Sequence, residues 1–248
     1  MKKSKLKKLI DSGADVNARN EYGETPLHFQ RGKYAVELLI KAGANVNAKT
    51  RQLNTSLHYQ SNKYVIKLLI DAGADVNAKN IFNLSPIHCH PDDECVRLLI
   101  EAGADVNSKT HIDNITPLHL ILNNMRSVKL LIDAGADVNA QNNHGTTPLH
   151  CGGDKKCVRL LIEAGADVNV RDIWGIKPLD FDNVRSVVED MASEKIIRFI
   201  HHCKWWKLHK LTKTFAFNKW YCGEEDGNGG GTGRKVDHKR IMDSVGRM

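Results

Sequence analysis

The residues of this chain best suited to chemistry are its twelve histidines and six cysteines, and their spacing says which chemistry to expect. His28, His58, His88, His119 and His150 recur at intervals of 30, 30, 31 and 31 residues. Recurrence at a fixed period points to structure, because a catalytic or metal-binding imidazole is needed once. The cysteines follow the same period. Cys89 and Cys151 take the slot held elsewhere by Phe29, Tyr59 and Leu120, and Cys95 and Cys157 take that of Ala35, Val65 and Ser127. Both slots read as core positions, in which a thiol packs as a small hydrophobe. His88-Cys89-His90 with Cys95 could be drawn as a zinc site, yet the period accounts for His88, Cys89 and Cys95 without metal. Gly229 to Lys235 resembles a phosphate loop only superficially, since it lacks the required spacing and lies in a polar tail. No nucleophile–base arrangement stands outside the repeated residues. The expectation is a protein that is not an enzyme, with no catalytic, cofactor-binding or metal-binding residues.

These residues sit inside a longer repeated pattern. Gly-Ala-Asp/Asn-Val-Asn opens at Gly13, Gly43, Gly73, Gly103, Gly135 and Gly165, at intervals of 30, 30, 30, 32 and 30 residues. Leu-Leu-Ile precedes five of the six, and Leu9-Ile10 precedes the first. A polar tip follows, then Thr25-Pro26-Leu27-His28 and its echoes at Thr55, Ser85, Thr116 and Thr147. Thr-Pro is a helix start, with the hydroxyl residue as N-cap and proline at the first helical position. A second helix follows, in which Val36, Leu39 and Ile40 recur at helical spacing. Gly43 then ends it by taking the left-handed conformation.

This order of elements resembles the ankyrin repeat family, over about residues 5–190. The resemblance implies an all-α repeat solenoid of stacked helix-turn-helix units with projecting β-hairpin tips, and partners that bind along the tips and inner helices. It also implies that the repeated histidine bonds the threonine region and the adjacent unit. In that family the hairpin asparagine, here Asn47, Asn77, Asn107, Asn139 and Asn169, can be hydroxylated where the host has the enzyme.

The chain departs from the family pattern. The usual unit has about 33 residues, and the loss here falls between Leu-His and Leu-Leu, which predicts a first helix shortened by nearly a turn. The repeat opening at Thr116 restores two of these residues and carries one more in its tip. Met1 to Ile10 supplies only a second helix, with its lysines toward solvent, and Lys177-Pro178-Leu179-Asp180 replaces Thr and His; both ends read as caps.

Framework residues explain folding, so partner choice must lie in what varies. Gly23, Gly145, Gly175 and Asn83 fit a tip position needing positive φ; Leu53 does not, and its tip is expected to be distorted. Tyr22, Ile81, Phe82, Ile173 and Trp174 place large apolar side chains on the tips, either as binding anchors or packed against neighbouring tips. Gln30, Arg31, Gln60, Ser61, His90, Asp92 and Asn123 read as the polar rim of the inner helices. The predicted partner-binding residues are therefore Tyr22, Ile81, Phe82, Ile173 and Trp174, with Arg31 and His90, and Phe82 and Trp174 lead.

Of the chain's 248 residues, 41% are hydrophobic and 26% charged, and the formal charge is +7. From Glu194 to Cys222 there are seven Lys/Arg against one acid, so the basic excess belongs to one segment. The division expected is an array over 1–192, a basic aromatic helical segment over 193–222 and a disordered glycine-rich charged tail over 223–248. The middle segment could cap the array or dock a second component, namely a ubiquitin-ligase subunit, a membrane surface or nucleic acid. A metal cluster of His201, His202, Cys203, His209 and Cys222 is a further reading. No run reaches the roughly 18 apolar residues of a membrane helix, and the residues after the basic N-terminus lack a signal peptide's apolar stretch. The address expected is cytoplasmic or nuclear, or a host cell's cytoplasm if the source is a virus or intracellular bacterium. Reduced thiols suit that setting.

The sequence thus points to a scaffold or inhibitor that binds a protein of unknown identity and takes no small-molecule substrate. The alternative is a two-part adaptor, in which residues 193–222 recruit the second component.

Overall fold

A computed structural model describes residues 3–202 of the chain. Two compact units divide it, Met1–Glu194 and Lys195–Met248, and the first holds the repeats. Most of the expected basic segment, and the whole expected tail, lie outside the described residues, as do Cys203, His209 and Cys222.

Each repeat is built from a one-turn helix, a longer helix and a tip. The one-turn helices are Pro26–Phe29, Ser56–Tyr59, Pro86–Cys89, Pro117–Leu120, Pro148–Cys151 and Pro178–Asp180. Each repeat from the first to the fifth then has a helix of nine residues: Lys33–Lys41, Lys63–Asp71, Asp93–Glu101, Met125–Asp133 and Lys155–Glu163. Lys3–Asp11 forms a lone long helix at the start, with Lys5, Lys7 and Lys8 exposed, and Asp182–His202 closes the described chain, running without a break through Ser193. The first helices are short as the spacing predicts. The two extra residues after His119 do not lengthen their helix, since Ile121 and Leu122 lie buried beyond its end.

The core is one continuous stack. Leu27, Leu57, Ile87, Leu118 and Leu149 from the short helices are fully buried, as are Val36, Ile66, Val96, Val128 and Val158 from the long ones. Neighbouring repeats supply the other side of each apolar layer, so a single unit could not hide it. Every nine-residue helix ends alike. Gly43 has φ +85°, its N–H donates to Ile40 O at 3.0 Å, and Ala44 N–H donates to Leu39 O at 2.9 Å. These two bonds form the Schellman cap that a left-handed glycine allows.

Among the described residues there are no strands. The tips close as turns, each with a backbone bond such as Asn20 N–H to Glu24 O at 3.0 Å, and neighbouring tips join through one backbone bond apiece. Leu53 corrects the expectation of a distorted tip. It takes φ +60°, and the Thr50 N–H to Asn54 O bond of 2.9 Å closes the same turn as elsewhere. The surrounding stack imposes the conformation and the leucine carries the strain.

Candidate protein-docking surface

The repeated histidines hold repeats together. The His28 Nδ1 accepts from the Thr25 N–H at 3.0 Å, so that nitrogen is unprotonated, and its Nε2–H then donates to Asn54 O of the next repeat at 3.3 Å. The other four follow suit, donating to Leu84, Ser108 and Ile115, Thr146, and Ile176 oxygens. Both ring nitrogens are thereby committed, and the neutral Nε2–H tautomer is dictated by its partners. Burial pushes the pKa of His28, His58, His88 and His119 down.

The hairpin asparagines do the same at the other end of the repeat. Asn77 Nδ2 donates to Gly103 O at 3.0 Å and its Oδ1 accepts from Asp105 N–H at 2.8 Å; Asn47, Asn107 and Asn139 repeat this pair. Each amide bridges to the repeat after it.

Two predicted rim residues prove to be internal. His90 is only 4% exposed, and its Nε2 lies 2.8 Å from Leu57 O of the preceding repeat. Gln60 is fully buried and donates to Gln30 O at 2.9 Å. The reason is position: this slot follows the last residue of the short helix, where the chain turns back between repeats. His90 is therefore removed from the docking surface. Arg31 is exposed, but its guanidinium donates to Tyr59 O.

The tips form a rail of projecting side chains. Asn80 Oδ1 accepts from Phe82 N–H at 2.9 Å and Leu84 N–H at 3.0 Å, and Asn20, Asn142 and Asp172 organise their tips identically. With the turn held from inside, the second and third residues must point outward. Arg51 N–H donates to Tyr22 O, Ile81 N–H to Gln52 O, His111 N–H to Phe82 O, Asn143 N–H to Asp113 O and Ile173 N–H to His144 O. Tyr22, Ile81, Phe82, Ile173 and Trp174 are all exposed, Phe82 by 46% and Trp174 by 65%. Trp174 also stacks on His144 of the preceding tip, ring centroids 5.5 Å apart, so it both packs and protrudes. Sequence reasoning passed over Ile112, 64% exposed; it fills the slot of Phe82 in a tip whose extra residue disguises the alignment.

A second apolar row, expected in the core, lies at the surface. The residue after the repeated histidine is exposed in Phe29 (56%), Leu120 and Cys151, and half-buried in Tyr59 and Cys89; Phe181 continues the row. Helical geometry explains it. The leucine of Thr-Pro-Leu-His points into the stack, and the residue two further on is turned about 200° away. A one-turn helix has no later turn to cover it. Cys95 and Cys157 are buried as expected, their thiols pushed up to about 12 chiefly by burial. Burial also raises the pKa of Cys89 and Cys151, so all four are held in the thiol form at neutral pH.

The profile described as ankyrin repeats (three copies) matches residues 2–80 and 87–172. Among solved structures, the chain is similar to the ankyrin repeat domain of Bcl-3, described as a unique member of the IkappaB protein family. The two are 27% identical with a TM-score of 0.59, over 75% of this chain and 91% of that one. No curated protein matches the sequence.

Proposed function

This chain belongs to the ankyrin repeat family, and from that premise we propose that it is a non-catalytic scaffold or inhibitor that binds a partner protein across its tips and short helices. The observation that carries this reading is the pair of exposed apolar rows, Tyr22, Ile81, Phe82, Ile112, Ile173 and Trp174 on the tips, and Phe29, Leu120 and Phe181 on the short helices. Exposed aromatic and aliphatic groups recurring along one surface are the usual anchors of a protein interface. The likeness to the Bcl-3 domain supports protein binding in general. A cytoplasmic or nuclear site of action, and hydroxylation of Asn77, Asn107 or Asn139 where a hydroxylase is present, belong to the same reading.

The test is affinity capture with wild type and with Phe82→Ala/Trp174→Ala. Loss of two interface anchors should weaken a specific partner at least tenfold, since each is expected to contribute more than about 1 kcal/mol. A double variant that retains every partner would remove these two anchors from the interface.

The adaptor reading draws on the seven cations against one acid between Glu194 and Cys222. Deleting residues 193–248 separates the two readings. A scaffold keeps both its partner and its cellular effect, whereas an adaptor keeps the partner and loses the effect.

A further inference from the structure

The charges of the repeats are sorted by face. On the long helices, ion pairs join Lys33 to Glu37, Lys67 to Asp71, Arg97 to Glu94 and Glu101, Lys129 to Asp133 and Arg159 to Glu163. At the tips the cations recur at one slot, Arg19, Lys49, Lys79, Lys109 and Arg171. Arg19 and Arg171 spend their guanidinium groups on the carbonyls of Lys49 and Gly175. Lys49, Arg51, Lys79 and Lys109 are exposed and form no ion pair among the described residues.

The second, third and fourth repeats concentrate this imbalance. Their tip and short-helix segments, residues 49–61, 79–91 and 109–123, hold those four cations and one carboxylate, Asp113. Asp113 is already engaged, 3.7 Å from His144 Nε2. The lysines occupy equivalent places: Lys49, Lys79 and Lys109 each bear on the histidine of their own repeat, His58, His88 and His119. Ile81, Phe82 and Ile112 stand exposed among them.

Resting on the protein-binding reading above, we infer that the partner presents an acidic polypeptide segment, carboxylates interspersed with apolar side chains, across the second to fourth tips. Packed helices lie about 8–10 Å apart, so the lysines recur on that scale. A segment in the extended polyproline II conformation advances about 3.1 Å per residue with three residues per turn, so every third side chain returns to the same face and meets the next lysine. Two of the three exposed apolar groups among the cations, Ile81 and Ile112, are aliphatic, which favours a polypeptide over nucleic acid, whose successive bases need aromatic faces to stack on. At the first tip Glu21 and Glu24 oppose such a segment, and at the fifth Gln141 stands in the lysine slot, which bounds the acidic footprint.

The test uses the full chain and a labelled glutamate–tyrosine random copolymer, compared with polyglutamate and with single-stranded poly(U). Lys49→Glu/Lys79→Glu/Lys109→Glu should lower copolymer affinity about tenfold at low salt, and the matching Gln variant should lose less. The basic residues after Glu194 are unchanged in every variant, so the difference reads the tips. The copolymer should also bind more tightly than polyglutamate, an advantage that Phe82→Ala removes. A charge-reversed variant that remains folded by circular dichroism yet binds as wild type does overturns the inference. Tighter, charge-dependent binding of poly(U) at the same lysines overturns it in favour of nucleic acid. If charge reversal is silent while Phe82→Ala/Trp174→Ala still loses its captured partner, protein binding stands and the acidic partner falls.

Discussion

At the scale of the residue, two positions in the second repeat depart from their equivalents and each has a physical consequence. Leu53 holds φ +60° where three other tips have glycine and two have asparagine. An L-residue with a branched side chain pays roughly 1–2 kcal/mol for that conformation. Leu53→Asn, the residue of the next repeat, should therefore stabilise the chain by about 1 kcal/mol. Ser56 sits where the other short helices have proline. Its Oγ is fully buried with no hydrogen-bond partner, and Thr55 before it is already extended at φ −93° and ψ 167°. That geometry is what a following proline demands. Ser56→Pro removes the orphaned hydroxyl and restricts the unfolded chain, which should add about 0.5–1 kcal/mol. Thermal melts of both variants check the pair, and a fall in midpoint for either would contradict the assignment of strain.

At the scale of the element, these features meet in one repeat. The strained Leu53, the unpartnered Ser56 Oγ and the unpartnered Oε1 of buried Gln60 all belong to the second repeat. In a stack whose stability is a sum of unit and neighbour contributions, the poorest unit opens first. Amide exchange by mass spectrometry should show the segment 50–60 exchanging faster than 80–90 and 142–152. Equal protection across the three would mean that neighbours fully compensate these defects. The same scale explains the exposed row of Phe29, Leu120 and Phe181. A helix of one turn can bury one face only, so truncation converts a covered position into surface.

At the scale of the whole molecule, the buried histidines act together. Burial lowers the pKa of His28, His58, His88, His90 and His119 from 6.5 in the folded chain. Above that value both states are neutral and the inter-repeat bonds are fully available. As pH falls below about 6.5 the unfolded chain takes up protons that the folded chain resists, so stability declines with pH. Protonation also puts a second N–H on each ring, and in His28, His58, His88 and His119 the N-cap amide facing Nδ1 loses its acceptor. Midpoints of thermal unfolding should drop steeply between pH 7 and pH 5, more steeply than carboxylate protonation alone would give. A His88→Gln variant should show a shallower decline, and an unchanged slope would refute the role of these rings.

The amino-acid order alone determined the repeat and its helix starts and stops, because each depends on local rules: proline at a first turn, glycine at a left-handed cap, apolar groups at helical spacing. It also showed that the repeated histidines are structural. Which polar groups are exposed was decided by the tertiary stack. His90 and Gln60 look like rim residues in isolation and become internal only when the preceding repeat lends them the carbonyls of Leu57 and Gln30. Phe29 and Leu120 look like core and become surface because no further helical turn lies over them. Burial is a property shared between neighbours; a pattern read one unit at a time carries half of it.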